Sequence, residues 1–218
     1  MDIILDRMVK YITFDPSNVK TSLTVAGRPK EFDEVDALSR AQELFWRQGY
    51  GATSTEDLLA AMGLRKGSLY HTFGSKRGVF VQATKQFGHE FLRALRQALQ
   101  QGSDPLEVLC QTFRALADPS HAAAVAAKGC YFGNTLVEMA TLDPEMQHLA
   151  AQGLMAVEQV FYEALSQAQQ AGQLSQSADP RALARYLINL WNGLNISRRM
   201  YTPQDLIPII ETGLQVLV

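Results

Sequence analysis

The sequence contains little cysteine, no excess of either charge and no long apolar run. Only two cysteines, Cys110 and Cys130, occur in 218 residues, which excludes a disulfide framework and indicates a reducing compartment. There are 20 lysines and arginines against 22 aspartates and glutamates, which excludes a polybasic arm as the main functional part. No run approaches the ~18 apolar residues of a membrane span, and acidic residues near the start oppose a secretion signal. We therefore expect a cytoplasmic protein with no membrane partner.

Patterns typical of metal sites and catalytic sites are also missing. The histidines at positions 71, 89, 121 and 148 share no ligand spacing. No nucleophile stands beside a base, and no glycine-rich loop is suited to hold phosphate. We therefore expect no metal, no cofactor and no enzymatic activity.

Helical periodicity is the main pattern that the sequence does contain. Residues 1–26 have no sustained period and are predicted to be a flexible leader. From Phe32 onward, apolar residues recur at helical spacing and no alternating strand is found. Five capping residues precede a proline, which is favoured at the first position of a helix: Asp104-Pro105, Asp118-Pro119, Asp143-Pro144, Asp179-Pro180 and Thr202-Pro203. The predicted fold class is all-α.

Residues 27–80 are predicted to form a three-helix, helix-turn-helix DNA-binding domain. The first helix follows Asp33, and the second follows the cap Thr53-Ser54-Thr55. The turn Gly63-Leu64-Arg65-Lys66 leads into a short third helix over 67–73. A turn glycine permits the sharp angle between two such helices, and the later helix is the recognition helix, which enters the major groove.

The recognition helix carries side chains suited to contact DNA. Lys66 is a cation at its start, while Tyr70 and His71 offer hydrogen-bond donors. Lys76 lies near the start of the next helix, where free amides and a side-chain cation can together hold a phosphate. Arg77 is a further cation that flanks the recognition helix. Arg28 and Lys30 are placed to form an arm that reaches the DNA backbone or the minor groove. The full predicted DNA-binding set is Arg28, Lys30, Thr53, Ser54, Thr55, Arg65, Lys66, Gly67, Ser68, Tyr70, His71 and Lys76.

These residues belong to a longer series of motifs. The region 27–85 contains Gly27-Arg28-Pro29-Lys30, Ala41-x-x-Leu44-Phe45-Trp46-x-x-Gly49-Tyr50-x-x-Thr53-Ser54, Asp57-Leu58-x-x-Ala61-Met62-Gly63 and Lys66-Gly67-Ser68-Leu69-Tyr70-His71-x-Phe73-x-Ser75-Lys76. The series resembles the DNA-binding domain of TetR/AcrR-family transcriptional regulators, although the leader before Gly27 departs from the usual pattern. The resemblance implies a homodimer that binds a near-palindromic double-stranded operator, and a small-molecule effector that releases it. We expect this protein to act as a repressor.

Residues 81–218 are predicted to be an effector-binding and dimerisation domain. Two late helices each have a broad apolar face, and the resemblance suggests that they pair with their symmetry mates. The predicted interface residues are Val157, Phe161, Leu165, Tyr186, Leu190 and Leu194. The alternative that both faces are buried within one subunit stays open.

A ligand cavity is expected between helices of this second domain. Its candidate residues are Phe113, Cys130, Phe132, Asn134, Glu138, Tyr162, Trp191 and Asn195, although most of them would suit a core or an interface equally well. The segment Lys128-Gly129-Cys130-x-x-x-Asn134-x-x-x-Glu138 is similar to one in a subset of these regulators.

Two alternative functions remain open at this point. In the first, Cys130 is a redox or electrophile sensor whose thiol pKa is lowered by nearby Lys128. In the second, the chain is a helical small-molecule-binding protein that retains a vestigial DNA-binding fold. Salt-dependent duplex binding by the purified protein would distinguish a regulator from a carrier.

Overall fold

The computed structural model describes residues 32–101, 104–118 and 128–217. The predicted leader, Arg28, Lys30 and His121 lie outside these ranges. The described residues form nine α-helices, with short 3-10 helices at Ala115–Ala117 and Gln215–Leu217, so the all-α prediction is confirmed. The helices are α1 Glu34–Gln48, α2 Thr55–Met62, α3 Lys66–Phe73, α4 Lys76–Gln101, α5 Pro105–Arg114, α6 Tyr131–Met139, α7 Pro144–Gln170, α8 Pro180–Ser197 and α9 Pro203–Leu214.

Most helices begin at the capping residues that the sequence predicts. The Asp33 carboxylate accepts the backbone N–H groups of Val35 and Asp36, at 2.9 and 3.2 Å. Four helices start with a proline behind a side-chain cap, provided by Asp104, Asp143, Asp179 and Thr202. At the fifth predicted start, Asp118, the following proline lies outside the described residues. Because a cap satisfies amides that the first turn leaves free, these starts are local properties of the sequence.

One aromatic core holds α1, α2, α3 and the start of α4 together. The ring of Phe80 meets those of Phe45 and Tyr50, with centroids 4.9 and 5.0 Å apart. Leu58 of α2 and Leu69 of α3 are fully buried below it. These helices therefore form the expected helix-turn-helix unit.

Helix α4 runs without a break through the predicted domain boundary at residue 80. Its first turns contribute Val79 and Phe80 to the core of the helix-turn-helix unit. Further along, the rings of Phe87 and Phe91 stack 5.7 Å apart, and Phe91 lies 6.4 Å from Trp191 of α8. A single helix thus contacts the cores of both halves.

The second half of the chain is built around α7, which packs against α4, α5, α6 and α8. The rings of Phe113, Phe161 and Trp191 meet in its core, with Phe113 5.6 Å from Phe161 and 5.9 Å from Trp191. Every helix in the described ranges is too short or too polar to cross a lipid bilayer.

Candidate DNA-binding surface and interior cavity

The turn between α2 and α3 depends on Gly63. This residue has φ of 67° and ψ of 31°, in the left-handed region that glycine adopts without strain. Leu64 donates its backbone N–H to the carbonyl of Leu59 at 3.0 Å, which closes the end of α2. Helix α3 starts two residues later and runs in a different direction from α2.

The predicted DNA-reading side chains of α3 lie on one outward face. Lys66, Gly67, Tyr70 and His71 are exposed, whereas Leu69 and Phe73 anchor the helix from below. Tyr70 keeps 43% of its surface open to solvent. Arg65, also exposed, is the N-cap residue, and Ser68 is half-buried. The face thus presents cations and hydrogen-bond donors over an apolar anchor.

The cap of α2 has a structural role. Thr53 is only 1% exposed and its hydroxyl donates to the carbonyl of Gly49 at 2.6 Å, so the prediction that it contacts DNA is wrong. Ser54 is exposed but exchanges hydrogen bonds with Asp57 in a capping box. The same bonds lower the pKa of Asp57. Thr55, in the first turn, is half-buried.

Two neighbouring cations at the start of α4 have different surroundings. The ammonium of Lys76 lies 4.3 Å from the centroid of the Tyr50 ring. Arg77 forms ion pairs with Asp143 and Glu145, each at 2.6 Å, so this cation beside the recognition helix is already paired with acidic groups. These hydrogen bonds lower the pKa of Asp143 to about 2. Arg77 therefore ties α4 to the start of α7.

Glu138 of α6 binds the loop that joins α1 to α2. Its carboxylate accepts the backbone N–H of Tyr50 at 3.0 Å and that of Gly51 at 2.7 Å. Asn134, one turn earlier, donates to the carbonyl of Lys128 at 2.6 Å. Both side chains line a polar cavity of about 170 Å³ between the two halves, together with Arg47 and Arg199. Neither Asn134 nor Glu138 lines the apolar cavity, which contains four of the other candidates.

The apolar cavity lies between α1, α4, α6, α7 and α8. Four predicted ligand-binding residues line it: Cys130, Phe132, Trp191 and Asn195. Phe113 is instead a fully buried core residue, and Tyr162 stacks under the guanidinium of Arg181 at 3.6 Å. The cavity volume is about 20 Å³, which is room for about one water molecule. A larger ligand therefore requires its walls to move.

Trp46 and Arg198 are among the residues of this cavity that are missing from the sequence prediction. The carbonyl of Gly129 accepts a hydrogen bond from each, 3.2 Å from Trp46 Nε1 and 3.1 Å from Arg198 Nη2. A pattern that points to Arg198 does exist, because Trp191, Asn195 and Arg198 follow helical spacing. When polar residues follow apolar ones along the buried face of a helix, they indicate that a cavity beside that face has a polar end.

Cys130 does not have the surroundings of a reactive thiol. It is the N-cap of α6, where Sγ accepts the N–H of Gly133 at 3.4 Å. Desolvation raises its pKa. Lys128 forms an ion pair with Glu43 at 2.6 Å, so the prediction that Lys128 lowers the thiol pKa is wrong. Among the described residues no group of histidine, cysteine and acidic side chains is arranged to hold a metal ion.

The predicted dimer residues divide into buried and accessible ones. Val157, Phe161, Leu165 and Leu194 are at most 1% exposed within the single chain, so the prediction that they contact a partner is wrong. Their apolar faces are used inside the subunit. Tyr186 is 41% exposed and Leu190 is half-buried. The solvent face of α8 consists of Ala182, Arg185, Tyr186, Asn189, Gly193 and Ile196.

Comparison with known proteins agrees with this arrangement. The family model of bacterial regulatory proteins of the tetR family matches residues 37–83, and the tetracyclin repressor-like C-terminal domain matches 102–208. The HTH-type transcriptional regulator YezE of Bacillus subtilis is 36% identical over 166 residues, which are 74% of this chain and 83% of YezE. The chain belongs to the TetR family of transcriptional regulators.

Other TetR-family proteins extend the similarity. The HTH-type transcriptional repressor ComR of Escherichia coli is 29% identical over 174 residues, covering 79% of this chain and 82% of ComR. A cysteine mutant of the regulator CifR, complexed with 26-base-pair operator DNA, has a TM-score of 0.74 at 25% identity and covers 88% of this chain and 100% of its own. This TetR-family chain is therefore a DNA-binding transcriptional regulator, and its family is one of regulators, not of enzymes.

Proposed function

We propose that this chain is a repressor that binds a near-palindromic operator as a homodimer and is released by a small molecule in its apolar cavity. The observation that carries the proposal is the outward face of α3, where Lys66, Tyr70 and His71 stand exposed over buried Leu69. ComR is named a repressor and the CifR mutant is complexed with operator DNA, which supports the same role here.

Dimerisation follows from the size of a recognition helix. One such helix reads only a few base pairs, and a two-fold axis supplies the second half-site about one helical turn away. The exposed face of α8 suits a symmetric contact because Tyr186, Asn189 and Gly193 on it are uncharged. A Cβ added at Gly193 would meet nothing within 4 Å in the single chain, so a second α8 has room to approach there.

Release follows from the links between the two halves. Phe87 and Phe91 of α4 line the apolar cavity, and the same helix carries Phe80 and Arg77 near the DNA-binding unit. A ligand that widens the cavity shifts α4 and with it the separation of the recognition helices. The loss of operator affinity is limited by the difference in ligand affinity between the two arrangements.

Selection of duplexes from a random pool with the purified protein tests the proposal. We expect a two-fold symmetric sequence, two chains per duplex and binding that weakens steeply with salt. Gly193→Arg should give a monomer with much lower operator affinity, whereas Gln97→Arg on the exposed side of α4 should leave the dimer intact. An asymmetric site bound by one chain, or ligand binding without any duplex binding, would reject the proposal in favour of another regulator type or a carrier.

A further inference from the structure

We infer that the polar cavity between the two halves of the chain binds a tetrahedral oxyanion, a phosphate or sulfate group, between Arg47 and Arg199. It is a second site beside the apolar cavity of the proposed function, with which it shares Trp46 and Tyr131.

The polar cavity is large enough for such an ion without any movement of its walls. Its volume is about 170 Å³, against about 20 Å³ for the apolar cavity. A water molecule takes up ~30 Å³ in the liquid, so the polar cavity has room for about five non-hydrogen atoms. The buried rings of Phe45, Phe80 and Tyr131 form its inner wall, and the exposed side chains of Arg47 and Arg199 lie on its outer side. An ion can therefore enter from solvent past the two arginines.

The two guanidinium groups at this cavity have no acidic partner. Within the described ranges, Arg47 and Arg199 form no ion pair, and Arg47 forms no side-chain hydrogen bond. Arg199 uses one nitrogen, Nη2, which donates to the carbonyl of Lys128 at 2.7 Å and to Oδ1 of Asn134 at 3.0 Å. Since a guanidinium has five N–H donors, both arginines have donors left for a ligand. Pairs of these donors match the oxygens of a phosphate or sulfate group.

The carboxylate of Glu138 does not cancel this positive charge. Glu138 is the only acidic residue among the described ones that line the cavity. Its two oxygens already accept the backbone N–H groups of Tyr50 and Gly51. Two guanidinium groups against one carboxylate leave the cavity with a net positive formal charge. An entering anion offsets this charge, whereas an entering cation would add to it.

A buried hydroxyl provides a further donor. Thr135 of α6 lines the cavity and is 4% exposed, and its hydroxyl has no hydrogen-bond partner in the part of the chain that the structure describes. A buried hydroxyl without a partner is costly, and an oxyanion would accept its hydrogen bond. A tetrahedral ion has four oxygens and can accept from both guanidinium groups and this hydroxyl together. A monocarboxylate has only two oxygens for the three groups.

The site lies across the boundary between the two halves of the chain. Arg47 is in the last turn of α1, in the DNA-binding unit, whereas Arg199 follows α8. An ion that binds both residues stabilises the folded chain by mass action. The melting temperature should therefore rise with the concentration of the ion.

Isothermal titration calorimetry of the purified protein without DNA tests the inference. Phosphate, sulfate and glycerol 1-phosphate are titrated at an ionic strength held constant with sodium chloride, beside acetate and glycerol as controls. We expect saturable binding of at least one tetrahedral oxyanion, with an affinity about tenfold or more above that of either control. Comparison of phosphate with its glycerol ester distinguishes a free ion from a phosphorylated compound. No saturable binding of any of the three, or equal binding of acetate or glycerol, overturns the inference.

Variants place the ion in the cavity. Arg47→Gln and Arg199→Gln should each weaken its binding by about tenfold or more. Arg40→Gln removes a charge from the same helix as Arg47, where Arg40 pairs with Asp36 at 2.7 Å, and should change the affinity less than twofold. Unaltered affinity in a folded Arg47→Gln or Arg199→Gln protein overturns the site. Should Arg199→Gln fail to fold, Arg47→Gln decides alone.

The cations of the recognition helix are the competing site for such an ion. Lys66→Gln should change the affinity for the oxyanion less than twofold, because Lys66 does not line the cavity. Loss of binding in Lys66→Gln with none in Arg47→Gln would place the ion on α3 and overturn the inference.

Discussion

Glu138 accepts a hydrogen bond from the backbone N–H of Gly51, with 2.7 Å between Oε1 and the nitrogen, although 87 positions separate the two residues. Its second oxygen accepts the N–H of Tyr50. A Cβ at Gly49 would lie 3.1 Å from Oε1, so the loop approaches the carboxylate closely because glycines form it. These bonds join the main chain of the DNA-binding unit to a side chain of α6.

Glu138→Gln should loosen this link. The amide has only one acceptor oxygen, so its NH₂ group would face one of the two backbone N–H donors. The variant should therefore lose about 1–3 kcal/mol of unfolding free energy. The backbone amides of Tyr50 and Gly51 should exchange with deuterium faster. Glu163→Gln, at a surface residue of α7 whose pair with Arg96 spans 3.8 Å, is the matched control. Unchanged protection of the Gly51 amide would contradict the proposed link.

Lys66→Gln should weaken operator binding and reduce its salt dependence. If the Lys66 ammonium contacts one phosphate, the slope of log affinity against log salt falls by about 0.9 in magnitude for each half-site. Lys85→Gln removes an exposed charge from the middle of α4, away from α3, and should leave that slope unchanged. Fluorescence anisotropy of a labelled duplex at several salt concentrations measures both. Equal slopes for the two variants would show that Lys66 does not contact phosphate.

Asp143→Asn should lower stability at neutral pH but not in strong acid. The pKa of Asp143 is about 2, below its usual 3.8, chiefly because Arg77 donates hydrogen bonds to it. A depressed pKa stabilises the fold above the usual value, and this contribution is lost as the pH falls through about 2. The difference in melting temperature between the two proteins should therefore shrink between pH 4 and pH 2.

Arg77→Gln provides the partner test of this pair. It removes the same ion pair from the other side, so the double variant should be less destabilised than the sum of the two single ones. A melting-temperature difference that stays constant down to pH 2, or full additivity, would contradict a coupled pair.

Cys130 should react slowly with oxidants and electrophiles. Only the thiolate is nucleophilic, and the raised pKa of Cys130 keeps the thiolate scarce at neutral pH. Mass spectrometry after mild peroxide should find Cys130 unmodified in the folded protein and modified after unfolding, which serves as the control. Rapid modification of folded protein with loss of operator binding would contradict this expectation.

Much of the fold was predictable because its determinants act over three or four residues. Asp33, Ser54 and Asp143 cap helices through nearby amides, and Gly63 ends α2 through its own backbone conformation. The outward side of α3 follows from the spacing of buried Leu69 and Phe73. The helical period and the capping residues predict these features directly, because they do not depend on contacts with distant parts of the chain.

The sequence by itself determined the all-helical class, the helix starts and the exposed face of the recognition helix. Tertiary structure decided that Thr53 turns inward, that Phe161 and Leu165 pack within the subunit and that Glu138 reaches Gly51. It also decided that Arg198 borders the apolar cavity. The physical reason is that a helical period shows which side of a helix is buried but not which surface covers it. That depends on how helices distant in sequence pack together, and burial, pairing and cavities all follow from the packing.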